Sequence, residues 1–268
     1  MISEEKNLLD ILLDLKNNYG LVGLKSEFES EGATFAETMY LKNLLDTENI
    51  DLTIKLGGCA AIKDINESKI IGAKNLVAPM IESPFALCKF IQSIDNVFSI
   101  EEQETINLYI NIETITGYRN LVQIMEKPEF NQIKGIVIGR ADLCASLNLH
   151  KDQIDENEIL DISKAICKST KSKGKTITIG GKINYKSIDF FKKLSCFDRF
   201  ETRKAIFDYK KAEKANLAEG IYKALDFEIC WLKHKQKHFD NFNNADQQRI
   251  ESLTKIKQNI NNYRSISV

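Results

Sequence analysis

The chain has 268 residues, of which 43% are hydrophobic and 28% are charged, a composition typical of a soluble globular protein with a sizeable core. Its 37 Lys and Arg residues almost balance its 38 Asp and Glu residues, which argues against a dedicated nucleic-acid-binding protein. No apolar segment approaches the ~20 residues needed to cross a bilayer. We therefore expect neither nucleic acid nor a membrane as a partner. The acidic N-terminal segment and six cysteines without a C-x-x-C pair predict free thiols in a reducing cytoplasm.

Short β-branched segments alternate along the chain with longer segments whose apolar residues have helical spacing. A first helix is predicted at 4–18. Strands are predicted at 21–29, 52–58, 75–81, 106–114, 135–143, 176–181 and 197–203, and helices between them near 33–47, 59–71, 84–96, 116–128, 155–173 and 186–193. This alternation predicts parallel strands joined by helical crossovers. Seven evenly spaced strands favour a TIM-type (β/α) barrel over an open doubly wound sheet. An eighth strand is not evident, and the N-terminal helix is the candidate for its place.

Successive side chains of a strand point to opposite faces, and several predicted strands are apolar on one face and polar on the other. The polar face collects residues from five strands: Lys25, Glu27 and Glu29; Thr53 and Lys55; Asn111 and Glu113; Thr178; Arg199, Glu201 and Arg203. Five strands cannot all be edges of one sheet. We therefore interpret the polar face as the lumen of the barrel rather than as solvated edge strands.

The pattern changes towards the C-terminus, where residues 205–236 and 247–263 predict two helices. We assign residues 1–208 to a barrel domain and 209–268 to a C-terminal helical extension. The first helix can complete the helical ring of the barrel. The second has apolar residues at helical spacing, Ile250, Leu253, Ile256 and Ile260, and we expect these to pack across the subunit interface of a homo-oligomer. The alternative is that this helix folds back onto its own barrel.

Two carboxylates, Glu113 and Asp142, lie at the ends of neighbouring predicted strands. Groups at the carboxyl ends of barrel strands converge on one rim, where two carboxylates repel unless a cation lies between them. Mg²⁺ or Mn²⁺, completed by water and substrate oxygens, is the natural occupant. The alternative is that each carboxylate caps the helix that follows, although Thr114 or Thr116 could supply the cap after Glu113.

Lys55 and Arg203 are predicted to lie on the inward face, near the ends of their strands. Cations in that position bind a substrate carboxylate or neutralise an enolate; the alternative is a structural ion pair with Glu27 or Glu201. A Schiff base on Lys55 ranks lower, because nearby carboxylates keep the amine charged. Lys25, on the same face, is a further candidate for substrate binding.

Three segments, VAPMIESP (77–84), INIETITGYRN (110–120) and IGRADLCASLNL (138–149), resemble the HpcH/HpaI aldolase and citrate lyase β-subunit family of phosphoenolpyruvate/pyruvate-binding barrels. The resemblance covers roughly residues 21–204. It implies that Glu113 and Asp142 are the Mg²⁺ or Mn²⁺ ligands. It also implies that the backbone from Gly139 through Arg140 and Ala141 to Asp142 contacts the carboxylate of pyruvate.

The chain departs from this family at three positions. Lys55 replaces an Arg that stabilises the enolate, and the two cations are not equivalent at a bidentate site. Glu27 replaces an Asp, and Ser30 stands where a catalytic His or Asp is expected. The resemblance therefore supports metal binding by this chain better than it supports the specific aldol reaction. The candidate base is Glu27 or a water that Glu27 holds.

The sequence thus predicts a divalent-metal-dependent carbon–carbon lyase or aldolase that acts on a small 2-oxo acid or its aldol. One alternative is a transferase that uses phosphoenolpyruvate or pyruvate on the same barrel. Another is a barrel that has lost catalysis and serves as a binding or assembly protein. A shared fold does not decide among them.

Overall fold

The β-branched segments form a closed eight-stranded barrel in the computed structural model, which describes residues 3–266 and the side chains of residues 5–258. The strands are β1 (Leu21–Glu27), β2 (Asp51–Lys55), β3 (Asn75–Ala78), β4 (Asn107–Ile112), β5 (Ile133–Gly139), β6 (Thr176–Gly180), β7 (Arg199–Glu201) and β8 (Ala205–Asp208). Strands β1 to β7 pair in parallel and in chain order. The predicted TIM-type barrel is therefore confirmed.

Helices connect the strands around the outside of the barrel. They are α1 (Ser3–Tyr19), α2 (Phe35–Asp46), α3 (Ile62–Ile71), α4 (Pro84–Val97), α5 (Ile100–Gln103), α6 (Ile115–Arg119), α7 (Leu121–Met125), α8 (Arg140–Ser146), α9 (Asn157–Ser172), α10 (Ser187–Leu194), α11 (Tyr209–Ala215), α12 (Leu217–His238) and α13 (Asn244–Ile266). Short 3₁₀ helices lie at Pro128–Gln132 and Lys151–Gln153. Within residues 3–266, every helix is too short or too polar to cross a bilayer.

An eighth strand closes the barrel, where the sequence predicted the start of a long helix. Strand β8 pairs antiparallel with both β7 and β1, and Asp208 at its end accepts a hydrogen bond from the Lys211 amide as the N-cap of α11. The prediction of one helix over 205–236 is therefore wrong, because β8 occupies its beginning and Asn216 separates the rest into α11 and α12. A buried run as short as Ala-Ile-Phe cannot be distinguished from a helix by periodicity alone. Nor does α1 replace a strand, because it packs outside the barrel against α12.

The strands have an apolar outer face and a polar inner face, as their alternation predicted. Outward residues such as Ile54 and Ile110 are buried in the main core beneath the helices. Most of the charged and polar residues assigned to the inner face are buried, including Lys25 and Glu201. A small separate cluster of Val77, Tyr109 and Val137 provides apolar packing away from that core. The predicted polar lumen is thus present and opens at the carboxyl ends of β1 to β7.

The C-terminal helices pack on each other within one chain. Helix α12 uses one face for the main core, and a second apolar face meets α13 in a cluster of Leu225, Ile229, Leu232, Ile250 and Leu253, with Ile256 packed against it. The expectation that these positions of α13 are buried only across a subunit interface is therefore wrong, because their own chain covers them. The side chain of Ile260 lies outside the described residues. Homo-oligomerisation stays a prediction.

Candidate active site

A cavity of about 290 Å³ opens at the carboxyl ends of the barrel strands. Every site residue predicted from the sequence lines it except Arg140: Lys25, Glu27, Lys55, Glu113, Gly139, Ala141, Asp142 and Arg203. These residues come from five segments of the chain, and the barrel alone brings them together. The cavity is the candidate active site.

Glu113 directly follows β4 and is 2% exposed. The N-cap of α6 is Thr114, whose side chain accepts a hydrogen bond from the Gly117 amide, so Glu113 is free to point into the lumen. Its Oε1 accepts from the Met80 amide at 3.0 Å and its Oε2 accepts from Asn111 Nδ2 at 2.7 Å. These donors hold the carboxylate in one orientation.

Asp142 lies in the first turn of α8, beside Glu113. Burial and, after it, the negative charge of Glu113 raise the pKa of Asp142, and both carboxyl groups belong to the lining of the same cavity. Gly139 permits this approach, because a Cβ at that position would lie 2.5 Å from Glu113 Oε2. The arrangement leaves two carboxylates adjacent and only partly neutralised.

The donor set at this position fits a hard divalent cation. Two carboxylates with open positions for water and substrate oxygens suit Mg²⁺, which usually keeps several non-protein ligands. The buried Asn111 Oδ1 has no hydrogen-bond partner among the described residues, so it is a further oxygen available in the lumen. In the described part of the chain, no group of three or more His, Cys, Asp or Glu side chains is arranged to hold a metal ion, so the protein itself would supply few ligands.

Lys25 and Lys55 hold separate sets of carboxylates. Lys25 Nζ lies 2.7 Å from Glu27 and 2.6 Å from Glu201. Lys55 Nζ lies 2.6 Å from Glu29 and 3.4 Å from Glu113. The alternative that Lys55 pairs directly with Glu27 or Glu201 is therefore wrong, because those two carboxylates bind Lys25.

Both lysines remain charged in these surroundings. Burial opposes the ammonium form of each, but the carboxylates outweigh it and raise the pKa of Lys25 and of Lys55. An amine must be neutral to attack a carbonyl. This result agrees with the low rank given to a Schiff base on Lys55.

Glu27 is held as a carboxylate. Burial alone would raise the pKa of Glu27, but Lys25, the Ser30 hydroxyl and Lys55 together lower it to about 2. Ser30 Oγ donates to Glu27 Oε2 at 2.6 Å. A carboxylate with so low a pKa is a poor proton acceptor at neutral pH, which weakens Glu27 as the candidate base.

Arg203 lies in the turn between β7 and β8, beyond the end of the strand rather than on its inward face. Its Nε donates to Glu31 Oε1 at 2.8 Å, and Lys204 binds the other oxygen of Glu31. The alternative that Arg203 forms an ion pair with Glu27 or Glu201 is therefore wrong, because among the described residues Arg203 pairs with Glu31. About a third of the Arg203 side chain is exposed at the rim of the cavity.

The side chain of Arg140 points away from the cavity. It is 0% exposed, forms an ion pair with Asp155, and stacks over the ring of Phe190 at 4.5 Å from its centroid. It also donates to the carbonyl oxygens of Gly180 and Gly181 at 3.1 and 2.9 Å. The side chain of Arg140 is therefore structural and ties α8 to the end of β6, whereas the expectation that the backbone of this segment contacts a substrate carboxylate stays a prediction.

Several cavity residues were missed as site candidates by the sequence analysis: Ser30, Asn111, Lys182, Thr202 and Arg249. Asn111 had a usable signal, since it lies two residues before Glu113 on the same face of β4. Arg249 had none, because only the return of α13 across the chain brings it to the barrel.

Comparisons with known proteins agree with this architecture. The model of the HpcH/HpaI aldolase/citrate lyase family matches residues 56–180, the segment that contains Glu113 and Asp142. No curated protein matches the chain at a significant level.

Solved structures share the fold at low sequence identity. A HpcH/HpaI aldolase/citrate lyase family protein from Burkholderia cenocepacia J2315 superposes with a TM-score of 0.62 at 13% identity, covering 83% of this chain and 89% of that one. The HpcH/HpaI aldolase from Desulfitobacterium hafniense DCB-2 gives 0.58 at 12% identity, covering 88% and 91%. The citrate synthase SbnG gives 0.58 at 16% identity, covering 86% and 91%.

Identities this low show a common fold and no more, whereas the family match covers both carboxylate motifs predicted from the sequence. Lys55, Glu27 and Arg203 lie outside that match. The matched segment and the shared barrel therefore make residues 56–180 of the chain similar to the HpcH/HpaI aldolase/citrate lyase family, a family of lyase-type enzymes.

Proposed function

We propose that the protein is a divalent-metal-dependent carbon–carbon lyase or aldolase that acts on a small 2-oxo acid or its aldol through a stabilised enolate. The observation that carries this proposal is the position of Glu113 and Asp142 in one cavity, with the charged Lys55 3.4 Å from Glu113. The family match over residues 56–180 supports the lyase class. The free cysteines are consistent with a cytoplasmic location.

The charges of the inner cavity favour a bound cation. Two ammonium groups line the inner cavity, those of Lys25 and Lys55. Four carboxylates line it as well, those of Glu27, Glu113, Asp142 and Glu201. The inner cavity therefore has an excess of negative charge. Glu113 and Asp142 are the residues that would hold Mg²⁺ or Mn²⁺. The ion, when bound, would chelate the 2-oxo acid and stabilise its enolate.

Lys55 is the residue that we assign to the developing negative charge. It lies beside Glu113 and remains protonated, so it provides a fixed positive charge in a buried position, where such a charge is most effective. Gly139 and Ala141 line the same cavity, and we assign the substrate carboxylate to the backbone of that segment. The ammonium group of Lys25 is held by two carboxylates. We therefore assign to Lys25 a contribution to the charge of the cavity rather than a direct hydrogen bond to substrate.

The proton acceptor is the weakest part of the site. Ser30 occupies the place of the expected His or Asp and is bonded to Glu27, whose pKa is about 2. We therefore expect slow removal of a proton from pyruvate. This observation favours one second candidate, a transferase that uses phosphoenolpyruvate, because that substrate already contains the enolate and needs no such proton removal.

A cleavage assay tests the proposal. The purified protein is incubated with 4-hydroxy-2-oxo acids of four to seven carbons, and the pyruvate released is followed with and without Mg²⁺. We expect release that requires Mg²⁺, stops with EDTA, and falls at least tenfold in Asp142→Asn. The exposed carboxylate variant Asp161→Asn is the matched control and retains full activity. Release that is equal in EDTA, or unchanged in Asp142→Asn, contradicts the proposal.

A further inference from the structure

The loop between β3 and α4 contains one residue in an unusual backbone conformation. Met80 has a φ of 47°, which lies in the left-handed region that residues with a long side chain rarely adopt. The other four non-glycine residues that share this conformation in the described part of the chain are all polar. A strained backbone of this kind persists only where its surroundings impose it, and such residues cluster at functional sites.

The side chain of Met80 does not account for this conformation. Met80 is 48% exposed, and it lies outside the set of described residues that line the main cavity. A glycine would adopt the same φ without strain and would lose little packing. The consequence of the turn therefore lies in the backbone, because the Met80 amide donates to Glu113 Oε1 at 3.0 Å.

Hydrogen bonds fix the loop after β3 to the end of β4. The Ile81 amide donates to the carbonyl oxygen of Asn111 at 3.1 Å. The Thr114 hydroxyl donates to Glu82 Oε1 at 2.6 Å. The loop is thus bonded to residues on both sides of Glu113, and these contacts impose the left-handed turn that precedes them.

The Glu113 carboxylate stands back from its neighbouring cation. Lys55 Nζ lies 2.6 Å from Glu29 but 3.4 Å from Glu113, although the attraction of opposite charges favours a closer contact. The Met80 amide on Oε1 and the Asn111 side-chain amide on Oε2 oppose that closure. The carboxylate therefore keeps oxygen lone pairs available for a cation in the lumen.

We propose that the strained backbone of Met80 is a positioning element, which aims its amide at Glu113 Oε1 and so holds the carboxylate ready for the metal ion and apart from Lys55. This inference rests on the proposed function, because the ion must bind at Glu113. Met80 itself contacts neither the ion nor the substrate and acts only through Glu113. The loss of a group that orients a metal ligand typically lowers metal affinity by about tenfold or more.

Two isomeric substitutions test the backbone while keeping an aliphatic side chain of the same size. Met80→Leu has an unbranched Cβ and tolerates the turn as methionine does, whereas Met80→Ile has a branched Cβ, which makes a positive φ much less favourable. The metal-free variants are titrated with Mg²⁺ by calorimetry. We expect the affinity of Met80→Leu to stay within about twofold of the natural value and that of Met80→Ile to fall about tenfold.

Asn49→Ile is the control that separates positioning from a general loss of stability. Asn49 has a φ of 51° and is exposed in the turn before β2, at the opposite end of the barrel from Glu113. Isoleucine there creates the same backbone conflict, and asparagine is well suited to the left-handed region. Asn49→Ile should therefore lower the melting temperature at least as much as Met80→Ile, with no change in Mg²⁺ affinity.

A measurement on the natural protein decides the case in which Met80→Ile does not fold. In protein labelled with ¹⁵N-methionine, NMR observes the backbone amides of Met39, Met80 and Met125, and Met80→Leu identifies the signal of Met80 by removing it. A Mg²⁺ ion at Glu113 changes the charge of the carboxylate that the Met80 amide contacts. We therefore expect Mg²⁺ to shift the Met80 signal more than the other two.

Four results overturn the inference while leaving the proposed function intact. Met80→Ile binds Mg²⁺ as the natural protein does, Met80→Leu loses as much affinity as Met80→Ile, Asn49→Ile loses as much as either, or saturating Mg²⁺ leaves the Met80 amide signal in place. A natural protein that binds neither Mg²⁺ nor Mn²⁺ would instead contradict the proposed function, and this inference would fall with it.

Discussion

Lys55 Nζ lies 3.4 Å from Glu113 Oε2, so a cation from β2 and a carboxylate from the end of β4 meet at the rim of the barrel. Glu113 is almost fully buried, and a buried carboxylate without a neighbouring positive charge is strongly unfavourable. Lys55 therefore supports the fold at the same position where we expect it to act on substrate. The structural and functional roles of this lysine are not exclusive.

Lys55→Met is expected to lower the free energy of unfolding by roughly 3 kcal/mol, because it leaves Glu113 with less compensation. Added Mg²⁺ should raise the melting temperature of this variant more than that of the natural protein, since the ion neutralises the same carboxylate. Lys55→Arg keeps the charge and should retain most of the stability, and the exposed Lys63→Met is the control. A variant that is destabilised but gains nothing from Mg²⁺ would show that Glu113 does not bind the ion.

Glu27→Gln tests the ion pairs of the lumen through the pH dependence of stability. The pKa of Glu27 is lowered from 4.5 to about 2 in the folded protein, so its carboxylate stabilises the fold above pH ~4.5, and that stabilisation is lost as the pH falls towards 2. At pH 7 the variant should be less stable by about 3 kcal/mol. Denaturant unfolding should show the difference shrinking below pH ~4.5, whereas the exposed Glu126→Gln should show no such difference at any pH. A gap that stays constant with pH would refute this assignment.

Arg140→Met tests the structural role of the Arg140 side chain. The change leaves the carbonyl oxygens of Gly180 and Gly181 without their donor and removes the partner of Asp155, so we expect a loss of about 3 kcal/mol in the free energy of unfolding. The exposed Arg119→Met should cost little. Pyruvate affinity per folded molecule should be unchanged. A variant of natural stability that fails to bind pyruvate would instead place the Arg140 side chain in the substrate site.

Ser30→His tests the missing proton acceptor. Exchange of the pyruvate methyl protons in heavy water, followed by NMR with Mg²⁺ present, should be slow in the natural protein and at least tenfold faster in the variant, because a positioned histidine is an effective base at neutral pH. Ser30→Ala, which adds no base, should not show this gain. Fast exchange by the natural protein would mean that another group already removes the proton.

The lumen could be predicted from the sequence because a strand has a strict period of two. Lys25, Lys55 and Glu113 each lie on the polar face of an alternating segment, and all three converge as expected. Strand β8 could not be found in this way. Its few residues are paired on both sides, and the hydrogen bonds that define it depend on the closed barrel.

Side-chain direction at turns is the other limit of the sequence analysis. Arg140 and Ala141 are adjacent in the chain, yet only the second lines the cavity, because the first turn of α8 points Arg140 at Asp155. Arg249 reaches the same cavity from a helix that follows the last strand by dozens of residues. Its position depends on how α13 packs against α12, which a periodic apolar pattern does not reveal.

The metal site itself is tested most directly by a crystal grown with Mn²⁺ and pyruvate and measured for anomalous scattering. We expect one strong manganese peak bound by carboxylate oxygens of Glu113 and Asp142, with pyruvate as a further ligand and its carboxylate against the backbone of Gly139 and Ala141. Crystals of Asp142→Asn grown in the same way should lose the peak. A manganese ion bound elsewhere, or a cavity that holds pyruvate with no ion at Glu113 and Asp142, would contradict the central claim.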